Sequence, residues 1–281
     1  MGEGPDFIGI GVAKSATTWV AARLNEHPGV YIQKKELCFW THYYYRGYDW
    51  YHDRFKDKGE RIAGEISPSY LITPRPNAVT LEHYPRWAPK SFVRQFTRPH
   101  PAARDEIRKA YPDIRIFAVF RNPVDRAWSH YWMWTERRRK RGKMRLIVPF
   151  EKMFRDNGRW IRTHGHYARH LKYWRDAFPD MGVFLFDDLA ADPAAFIRSI
   201  YRFLGVDDTF VGDLADKPKQ RVYDPMSAEI RRMLVDYYAD EIREFSSLIG
   251  RDLSHWLVHV PGARRAPDAG GEDDLEHLML C

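Results

Sequence analysis

A lysine and several hydroxyl residues stand between an apolar run and an amphipathic stretch near the beginning of the chain. Residues 6–13 (DFIGIGVA) predict a buried strand, and residues 14–19 (KSATTW) lead from it into a helix over 19–26. Where a strand turns into a helix, the N–H groups of the turn and the positive end of the helix point at one spot. Lys14 adds a mobile cation there. The spacing therefore predicts an anion site that would suit a phosphate.

The loop of nucleoside triphosphatases, G-x-x-x-x-G-K-S/T, is the first chemistry to compare with this turn. Its two glycine positions are occupied here by Ile8 and Ala13, so the match fails. Asp187, which follows the apolar run VFLF, could imitate a magnesium-binding aspartate, but without the glycines we interpret it as structural. On this segment alone, an ordinary strand-to-helix turn with a chance lysine is an equal alternative.

A second group of polar residues follows the clearest strand of the sequence, residues 114–120 (IRIFAVF). Arg121 stands where a nucleoside triphosphatase would have an aspartate for magnesium, and Ser129 lies two helical turns further on. An arginine fork and a serine hydroxyl suit a phosphate monoester. If the two strands are parallel neighbours, Lys14 and Arg121 meet at the edge of the sheet where open α/β folds bind their ligands.

Strand and helix patterns alternate along the rest of the chain. Further strands are predicted at residues 30–33, 61–67 and 183–186, and further helices at 124–136, 166–178, 193–204 and 227–248. Asn122 suits the cap of the first of these helices, Pro123 its first turn, and Gly205 the end of the third. The alternation predicts an α/β fold: a single domain with a mostly parallel central sheet flanked by helices. We assign residues 1–260 to this domain and 261–281 to a flexible tail.

The composition is that of a globular, basic protein. Of 281 residues, 44% are hydrophobic, and 45 lysines and arginines against 38 acids give a formal charge of +7. The two cysteines, Cys38 and Cys281, exclude a disulfide scaffold and a four-cysteine zinc site. No apolar run is long enough to predict a membrane span. The basic balance implies an anionic partner without identifying it.

These motifs resemble those of sulfotransferases that use 3′-phosphoadenosine 5′-phosphosulfate. Residues 14–19 resemble the 5′-phosphosulfate loop of that family, and residues 121–129 resemble its 3′-phosphate motif. The pattern is most similar to the heparan-sulfate N- and 3-O-sulfotransferase type. Residues 35–40 (KELCFW) resemble the Lys-Glu-x-x-Phe-Phe segment that carries the catalytic glutamate in that type. Other matches in the same order are residues 46–51 (RGYDWY), 64–70 (GEISPSY), 165–171 (GHYARHL), 203–205 (FLG) and 219–223 (KQRVY).

The chain departs from the family pattern in three places. Ile66 replaces a lysine that helps to organise substrate in the glycosaminoglycan enzymes, which argues against heparan sulfate as the acceptor. The cysteine-bridged hairpin before the late basic loop is absent, since residues 210–216 contain no cysteine. Gln220 replaces the glycine of the Lys-Gly-Arg motif. The last two departures leave the expected nucleotide site intact.

The resemblance implies a P-loop-kinase-like sulfotransferase fold and an enzyme that needs no metal. Its donor would be 3′-phosphoadenosine 5′-phosphosulfate, released as 3′-phosphoadenosine 5′-phosphate. Lys14 would stabilise the leaving group, and Glu36 would be the general base that deprotonates the acceptor. The implied donor-binding residues are Lys14, Ser15, Ala16, Thr17, Thr18, Trp19, Arg121, Ser129, Lys219 and Arg221. Secondary candidates for the base or for substrate contacts are Glu65, His42, Tyr70, His164 and His166.

The acceptor is the least defined part of the hypothesis. We expect a hydroxyl in preference to an amine, on a carbohydrate or on a glycosylated or secondary metabolite. Residues 137–145 hold seven cations, which would form either a solvated helix end or a cleft wall that attracts an anionic acceptor. The aromatic clusters at 39–45 and 48–51 suit either a sugar platform or the core.

Two other classes of function remain as alternatives. An ATP-dependent P-loop phosphotransferase would require magnesium, and a basic nucleic-acid-binding module would explain residues 137–145 but would give Glu36 no purpose. We therefore expect no nucleic-acid partner. Since the first strand begins almost at once, we expect a free-standing cytoplasmic enzyme of bacterial type, although a Golgi-type enzyme trimmed of its anchor would look the same. The oligomeric state is left open.

Overall fold

A computed structural model describes residues 4–33, 36–72, 102–157, 159–214 and 223–259 of the protein. Five strands are present in this part of the chain: β1 (Phe7–Gly11), β2 (Val30–Tyr31), β3 (Ile62–Ile66), β4 (Arg115–Phe120) and β5 (Gly182–Leu185). The α-helices are α1 (Thr17–Glu26), α2 (Gly47–His52), α3 (Ala103–Ala110), α4 (Pro123–Lys140), α5 (Phe150–Lys152), α6 (Arg159–Thr163), α7 (Tyr167–Ala177), α8 (Phe186–Ala191), α9 (Pro193–Leu204) and α10 (Ala228–Ile249).

The five strands form one sheet in the order β2-β3-β1-β4-β5, and every pair is parallel. β1 lies in the middle, with Phe7 opposite both Gly64 of β3 and Arg115 of β4. The chain builds the sheet first to one side of β1 and then to the other, so the strand order reverses at β1. In open α/β sheets this reversal opens a crevice at the carboxyl ends of the strands. The observed sheet confirms the predicted fold class.

Alternate residues of each central strand face opposite layers, because successive side chains of a strand point to opposite faces. In β4, Ile116, Ala118 and Phe120 pack in one apolar layer, while Phe117 and Val119 pack in the other. Helices α4, α7 and α10 contribute to the first layer, and α1 and α9 contribute to the second. Burial of each large apolar side chain contributes about 1.5–3 kcal/mol, so both layers hold the central strands rigidly in place.

The helix boundaries follow local capping rules. The Asn122 side chain accepts a hydrogen bond from the Val124 N–H at 2.9 Å, and Pro123 occupies the first turn of α4, as predicted. Gly205 ends α9 with a left-handed φ of 70°, a conformation that glycine adopts without strain. Helix α4 runs to Lys140, beyond the predicted residue 136, because the four basic residues of its last turn favour a helix C-terminus.

Some predicted features lie outside what the structure describes. These are the tail at 261–281 and the late basic residues Lys219 and Arg221. Helices α2, α3, α5, α6 and α8 are present although the sequence pattern did not predict them. Within the described ranges, no helix combines the length and the apolar character that a membrane crossing requires.

Candidate active site

The turn that follows β1, residues 12–17, forms a strained and partly unsatisfied loop, which we call the phosphate loop. Lys14 and Ala16 adopt left-handed backbone conformations, with φ values of 77° and 59°. Left-handed backbone is costly for residues other than glycine and persists only where the surrounding structure imposes it. Ser15 is fully buried, and its Oγ has no hydrogen-bond partner. A buried hydroxyl beside the first turn of α1, whose N-cap Ala16 offers no capping side chain, fits an anionic group.

The three residues that open α1 face different surroundings. Thr17 is buried and Thr18 is exposed. The Trp19 ring packs in the core against Phe196, with the ring centroids 6.3 Å apart. What Trp19 can offer a ligand is therefore its backbone N–H rather than its indole.

The end of β4 is joined directly to the phosphate loop. Arg121 donates a hydrogen bond from Nη1 to the Lys14 carbonyl oxygen at 3.1 Å. The Arg121 guanidinium lies over the Phe186 ring at 4.7 Å, and the Arg121 carbonyl oxygen accepts a hydrogen bond from the Tyr167 hydroxyl at 2.7 Å. The predicted meeting of the Lys14 and Arg121 motifs is thus confirmed, and the arginine is held as a fixed, planar cation at the edge of the sheet.

Ser129 lies on α4 beside a buried imidazole that sequence reasoning did not single out. His130 accepts a hydrogen bond at Nδ1 from Arg126 Nη1 at 3.3 Å, and its ring lies 5.5 Å from that of the buried His164. Burial lowers the pKa of His130 well below its usual value, and the charges of His164, Arg126 and Lys14 lower it further. His130 is therefore neutral at pH 7 and adds no charge next to Ser129.

The segment that carries Glu36 is a second strained loop, residues 36–40, which we call the glutamate loop. Glu36 and Cys38 have left-handed φ values of 62° and 53°. Together with Lys14 and Ala16 they are all of the non-glycine residues with positive φ in the described part of the chain. Such strain clusters at functional sites, and here it is confined to the phosphate loop and the glutamate loop.

The glutamate loop is attached to the end of β3 through its backbone. The Glu36 N–H donates to the Ile66 carbonyl oxygen at 3.0 Å, and the Cys38 N–H donates to Ser67 Oγ at 3.0 Å. The Trp40 N–H donates to the Tyr70 hydroxyl at 3.3 Å. Glu36 itself is half-buried. A general base needs this arrangement, a fixed backbone with a carboxylate that keeps access to a ligand.

Glu65 of β3 is enclosed by hydrogen-bond donors. Its Oε1 accepts from the hydroxyls of Tyr51 at 2.7 Å and Tyr70 at 3.0 Å, and its Oε2 accepts from Ser67 Oγ at 2.6 Å. The Leu37 N–H donates to it as well. Burial raises the pKa of Glu65, while these four donors act in the opposite direction. Because protein donors occupy a fully buried carboxylate, Glu65 has no face left for an acceptor.

The candidate histidines occupy different places. His42 is half-buried in a short π-helical turn, Phe39–Tyr43, that continues the glutamate loop, and its Nδ1 lies 3.0 Å from Thr41 Oγ1. His166 precedes α7 and contacts Glu241 and Tyr237 of α10, each at 3.2 Å. His42 therefore belongs to the region of Glu36, whereas His166 joins two helices.

The aromatic clusters divide between core and surface. Phe39, Trp40 and Tyr51 are buried, with the Phe39 and Tyr51 rings stacked at 4.3 Å. Tyr45 is 42% exposed, and Arg46 next to it lies over the Trp50 ring at 5.0 Å. The buried rings therefore belong to the core, while the sugar-platform interpretation stays a prediction for the exposed members of the clusters.

The basic residues at 137–145 form the exposed end of α4 and the turn after it. Lys140 pairs with Glu136 at 3.4 Å, while Arg141, Lys143 and Arg145 are exposed cations at the tip. The same helix contacts Tyr223 and Asp224, since Trp128 Nε1 donates to the Asp224 carbonyl oxygen at 3.0 Å and Trp132 stacks on Tyr223. Helix α4 therefore connects the expected 3′-phosphate motif to the last residue of the late basic motif.

Sequence reasoning quoted Tyr51 in one motif and Glu65 and Tyr70 in another but did not predict their contact. Tyr51, Glu65 and Tyr70 come from an aromatic cluster, a strand and the segment after that strand. Only the fold brings them together. The pairing of Asp187 with Trp256 Nε1 at 2.9 Å agrees with its interpretation as a structural residue.

A parallel sheet with strained loops at the carboxyl ends of its central strands defines a P-loop-like α/β protein. The family model described as "Sulfotransferase family" matches residues 5–209. The chain belongs to this family.

Solved and curated proteins agree with this assignment. The crystal structure of a sulfotransferase from Alicyclobacillus acidocaldarius superposes with a TM-score of 0.68 at 28% identity, over 90% of this chain and 98% of that one. Mouse heparan sulfate glucosamine 3-O-sulfotransferase 3A1 is 29% identical over 88% of this chain and 63% of its own length. Mouse bifunctional heparan sulfate N-deacetylase/N-sulfotransferase 3 is 26% identical over 90% of this chain and 31% of its own length.

A third curated relative is the membrane-associated sulfotransferase kil1 of Dictyostelium discoideum, 21% identical over 88% of this chain and 66% of its own length. The chain thus spans less than two thirds of the length of each of these three curated relatives.

Proposed function

We propose that the protein transfers a sulfuryl group from 3′-phosphoadenosine 5′-phosphosulfate to a hydroxyl of a carbohydrate acceptor. The observation that carries this proposal is a pair of strained loops at the ends of neighbouring strands: the phosphate loop follows β1 and suits an anion, and the glutamate loop is hydrogen-bonded to the end of β3 and presents a carboxylate. The names of the curated relatives, which are heparan sulfate 3-O- and N-sulfotransferases, support a glycan acceptor.

The residues around the phosphate loop fit the two ends of the donor. Ser15 Oγ and the first-turn N–H groups of α1 would hold the 5′-phosphosulfate, because a buried hydroxyl without a partner and a helix N-terminus both favour an anion. Arg121 and Ser129 would hold the 3′-phosphate, and their spacing would distinguish this nucleotide from one without that phosphate. Lys219 and Arg221 are proposed as further contacts from the late basic motif.

The bound donor supplies an activated sulfuryl group on a good leaving group. Lys14 would stabilise the negative charge that develops on the leaving oxygen, the kind of electrostatic assistance that contributes most to such transfers. Glu36 would accept the proton of the attacking hydroxyl, since it is half-buried on a fixed backbone while Glu65 is enclosed. The two groups act on opposite sides of an in-line displacement, so their spacing matters as much as their charge.

The acceptor we propose is an acidic or neutral glycan other than heparan sulfate. The glycosaminoglycan enzymes organise their substrate with a lysine that this chain lacks. In this chain that lysine position is Ile66, whose side chain is 1% exposed and packs in the core. The exposed cations at 137–145 would attract an anionic chain towards α4 over a distance of about one Debye length, about 8–10 Å.

A transfer assay tests the proposal. The protein is incubated with 3′-phosphoadenosine 5′-phosphosulfate and a panel of heparan sulfate, desulfated heparan sulfate, neutral oligosaccharides and glycosylated small molecules, and products are analysed by mass spectrometry. We expect one acceptor class to gain the mass of an SO3 group, with the rate unchanged by a metal chelator. Phosphate transfer from ATP that requires magnesium would overturn the proposal. Binding of random DNA without binding of 3′-phosphoadenosine 5′-phosphate would also overturn it.

A further inference from the structure

The buried carboxylate of Glu65 fixes the direction of three hydroxyl groups. An ionised carboxylate can only accept hydrogen bonds, so the hydroxyls of Tyr51, Ser67 and Tyr70 must all donate towards it. Each hydroxyl has a single proton. Once that proton points inwards, the oxygen can offer only its lone pairs to other neighbours.

Those lone pairs face the glutamate loop. Ser67 Oγ accepts from the Cys38 N–H, and the Tyr70 hydroxyl accepts from the Trp40 N–H. The Tyr51 hydroxyl accepts from Trp40 Nε1 at 3.4 Å. Glu65 also accepts directly from the Leu37 N–H. The carboxylate thereby determines which groups accept hydrogen bonds from residues 37–40, immediately after Glu36.

The glutamate loop needs such support because its conformation is strained. Glu36 and Cys38 have left-handed backbones, which residues other than glycine leave unless several contacts hold them. An amide or an apolar side chain at position 65 would avoid the cost of burying a charge, and in the described residues no lysine or arginine contacts this carboxylate. The three hydroxyls of Tyr51, Ser67 and Tyr70, which we call the hydroxyl relay, need at position 65 a group that only accepts hydrogen bonds.

The position of Glu65 in the sheet fixes the place at which the hydroxyl relay is held. Glu65 lies opposite Ile8 in the pairing of β3 with β1, the strand that delivers the phosphate loop. A group held at this register sets the glutamate loop relative to the phosphate loop through hydrogen-bonded strands.

We propose that Glu65 is a positioning residue: as a carboxylate it orients Tyr51, Ser67 and Tyr70 so that they hold the glutamate loop, and with it Glu36, at the carboxyl edge of the sheet. The part of this inference that concerns catalysis rests on the proposed function, in which Glu36 is the general base.

Amide hydrogen exchange of the Glu65→Gln variant tests the positioning directly. Glutamine has one oxygen and one NH2 group, so its NH2 must face either the two tyrosine hydroxyls or the Ser67 hydroxyl. A hydroxyl that faces the NH2 can no longer donate to residue 65 and must reorient, which weakens its hold on the glutamate loop. We expect the amides of Leu37, Cys38 and Trp40 to exchange at least about tenfold faster than in the wild type. The amides of β1 and α1 should keep their rates. The matched control is Glu60→Gln, an exposed glutamate outside the relay, which should leave the exchange of the glutamate loop unchanged.

Unchanged exchange at residues 37–40 in a folded Glu65→Gln variant would overturn the positioning role. Where Glu65→Gln does not fold, Ser67→Ala removes one arm of the relay and keeps the carboxylate. Ser67→Ala should release the Cys38 amide more than that of Glu36, which donates to the Ile66 carbonyl. Equal protection of both amides would again overturn the role.

A double-mutant cycle tests the catalytic part. We expect Glu65→Gln to lower kcat by about 10–100-fold with less than about a twofold change in the KM for the donor, because Glu65 and its three hydroxyl partners hold the loop that carries the base and not the phosphate loop. The double variant Glu36→Gln/Glu65→Gln should have the same kcat as Glu36→Gln alone. Additive losses would show that Glu65 acts elsewhere. A wild-type rate for Glu36→Gln would instead contradict the proposed base, and the exchange rates at 37–40 would distinguish this failure from a failure of the positioning role.

Discussion

The phosphate loop and the glutamate loop solve the same conformational problem in different ways. Both hold two non-glycine residues in the left-handed region, and both lie at the carboxyl end of a central strand, the phosphate loop after β1 and the glutamate loop hydrogen-bonded to the end of β3. In the glutamate loop the N–H groups of Glu36, Leu37, Cys38 and Trp40 all donate to groups at the end of β3. In the phosphate loop the buried hydroxyl of Ser15 has no partner.

The protein's own hydrogen bonds hold the glutamate loop, whereas the phosphate loop keeps a buried hydroxyl that a bound ligand would satisfy. An unsatisfied buried hydroxyl costs about 1–3 kcal/mol, a cost that a bound phosphate oxygen would remove. A base, in contrast, must already be in position when the acceptor arrives, since misplacement by about 1 Å can cost about a hundredfold in rate. We therefore expect changes in the glutamate loop to affect catalysis and changes in the phosphate loop to affect donor binding as well.

The largest effect should come from the base. Glu36→Gln removes the proton acceptor but keeps the size of the side chain, so sulfuryl transfer should fall by about a thousandfold, within the range that general bases contribute. The affinity for 3′-phosphoadenosine 5′-phosphate, measured by calorimetry, should stay within about twofold of the wild type. A parallel loss of nucleotide affinity would show that the two loops are not separable.

Lys14→Ala should have the next largest effect, and on both quantities. Loss of a preorganised cation at the leaving oxygen is expected to lower kcat by about a hundredfold and to weaken nucleotide binding. Lys109→Ala, at an exposed lysine of α3 outside both loops, is the matched control and should leave both values unchanged. A rate loss below about tenfold would remove Lys14 from the charge-stabilising role.

Arg121→Lys should cost about tenfold in affinity for 3′-phosphoadenosine 5′-phosphate, because a lysine cannot supply the planar fork that binds a phosphate monoester at two points. The affinity for adenosine 5′-phosphate, which lacks the 3′-phosphate, should change much less. The control is Arg141→Lys, at an exposed arginine after α4. Equal losses for both nucleotides would assign Arg121 to holding the phosphate loop through the Lys14 carbonyl instead.

The smallest effects should come from a pair of serines, and they should differ in sign. Ser67→Ala removes the acceptor of the Cys38 N–H and one of the four donors to Glu65, and should lower the free energy of unfolding by about 1–3 kcal/mol. Ser15→Ala removes a hydroxyl that has no partner, so the free energy of unfolding should stay the same or rise by up to about 1 kcal/mol, while nucleotide affinity falls a few-fold. Chemical denaturation of the two variants measures this contrast.

The sequence predicted the parts of the site that depend on neighbouring strands. Lys14 and Arg121 each follow an apolar run, and parallel strands place such residues at one edge, so their contact could be expected before the structure was known. The surroundings of Glu65 could not, because Tyr51, Glu65 and Tyr70 reach one another only through the packing of a helix, a strand and a loop. The partner of His166 is Glu241, 75 residues away on a helix that no local pattern links to it.

The left-handed residues were also beyond sequence reasoning. A glycine would have indicated a positive φ, but Lys14, Ala16, Glu36 and Cys38 carry side chains that ordinarily avoid this region. The surrounding structure overrides their local preference at both loops, and the local sequence does not indicate where this happens.

The central position of β1 has a consequence for how such a protein can change. The five residues of β1 position both halves of the proposed chemistry. β3, which holds the glutamate loop, pairs on one side of β1, and β4, which leads to Arg121, pairs on the other. Of the two outer strands, β2 leads along the chain into the glutamate loop, whereas β5 carries no residue of either loop, so insertions at the β5 edge alter no spacing between the two halves. That edge can therefore diverge towards new acceptors while the interior distances that govern transfer are inherited unchanged.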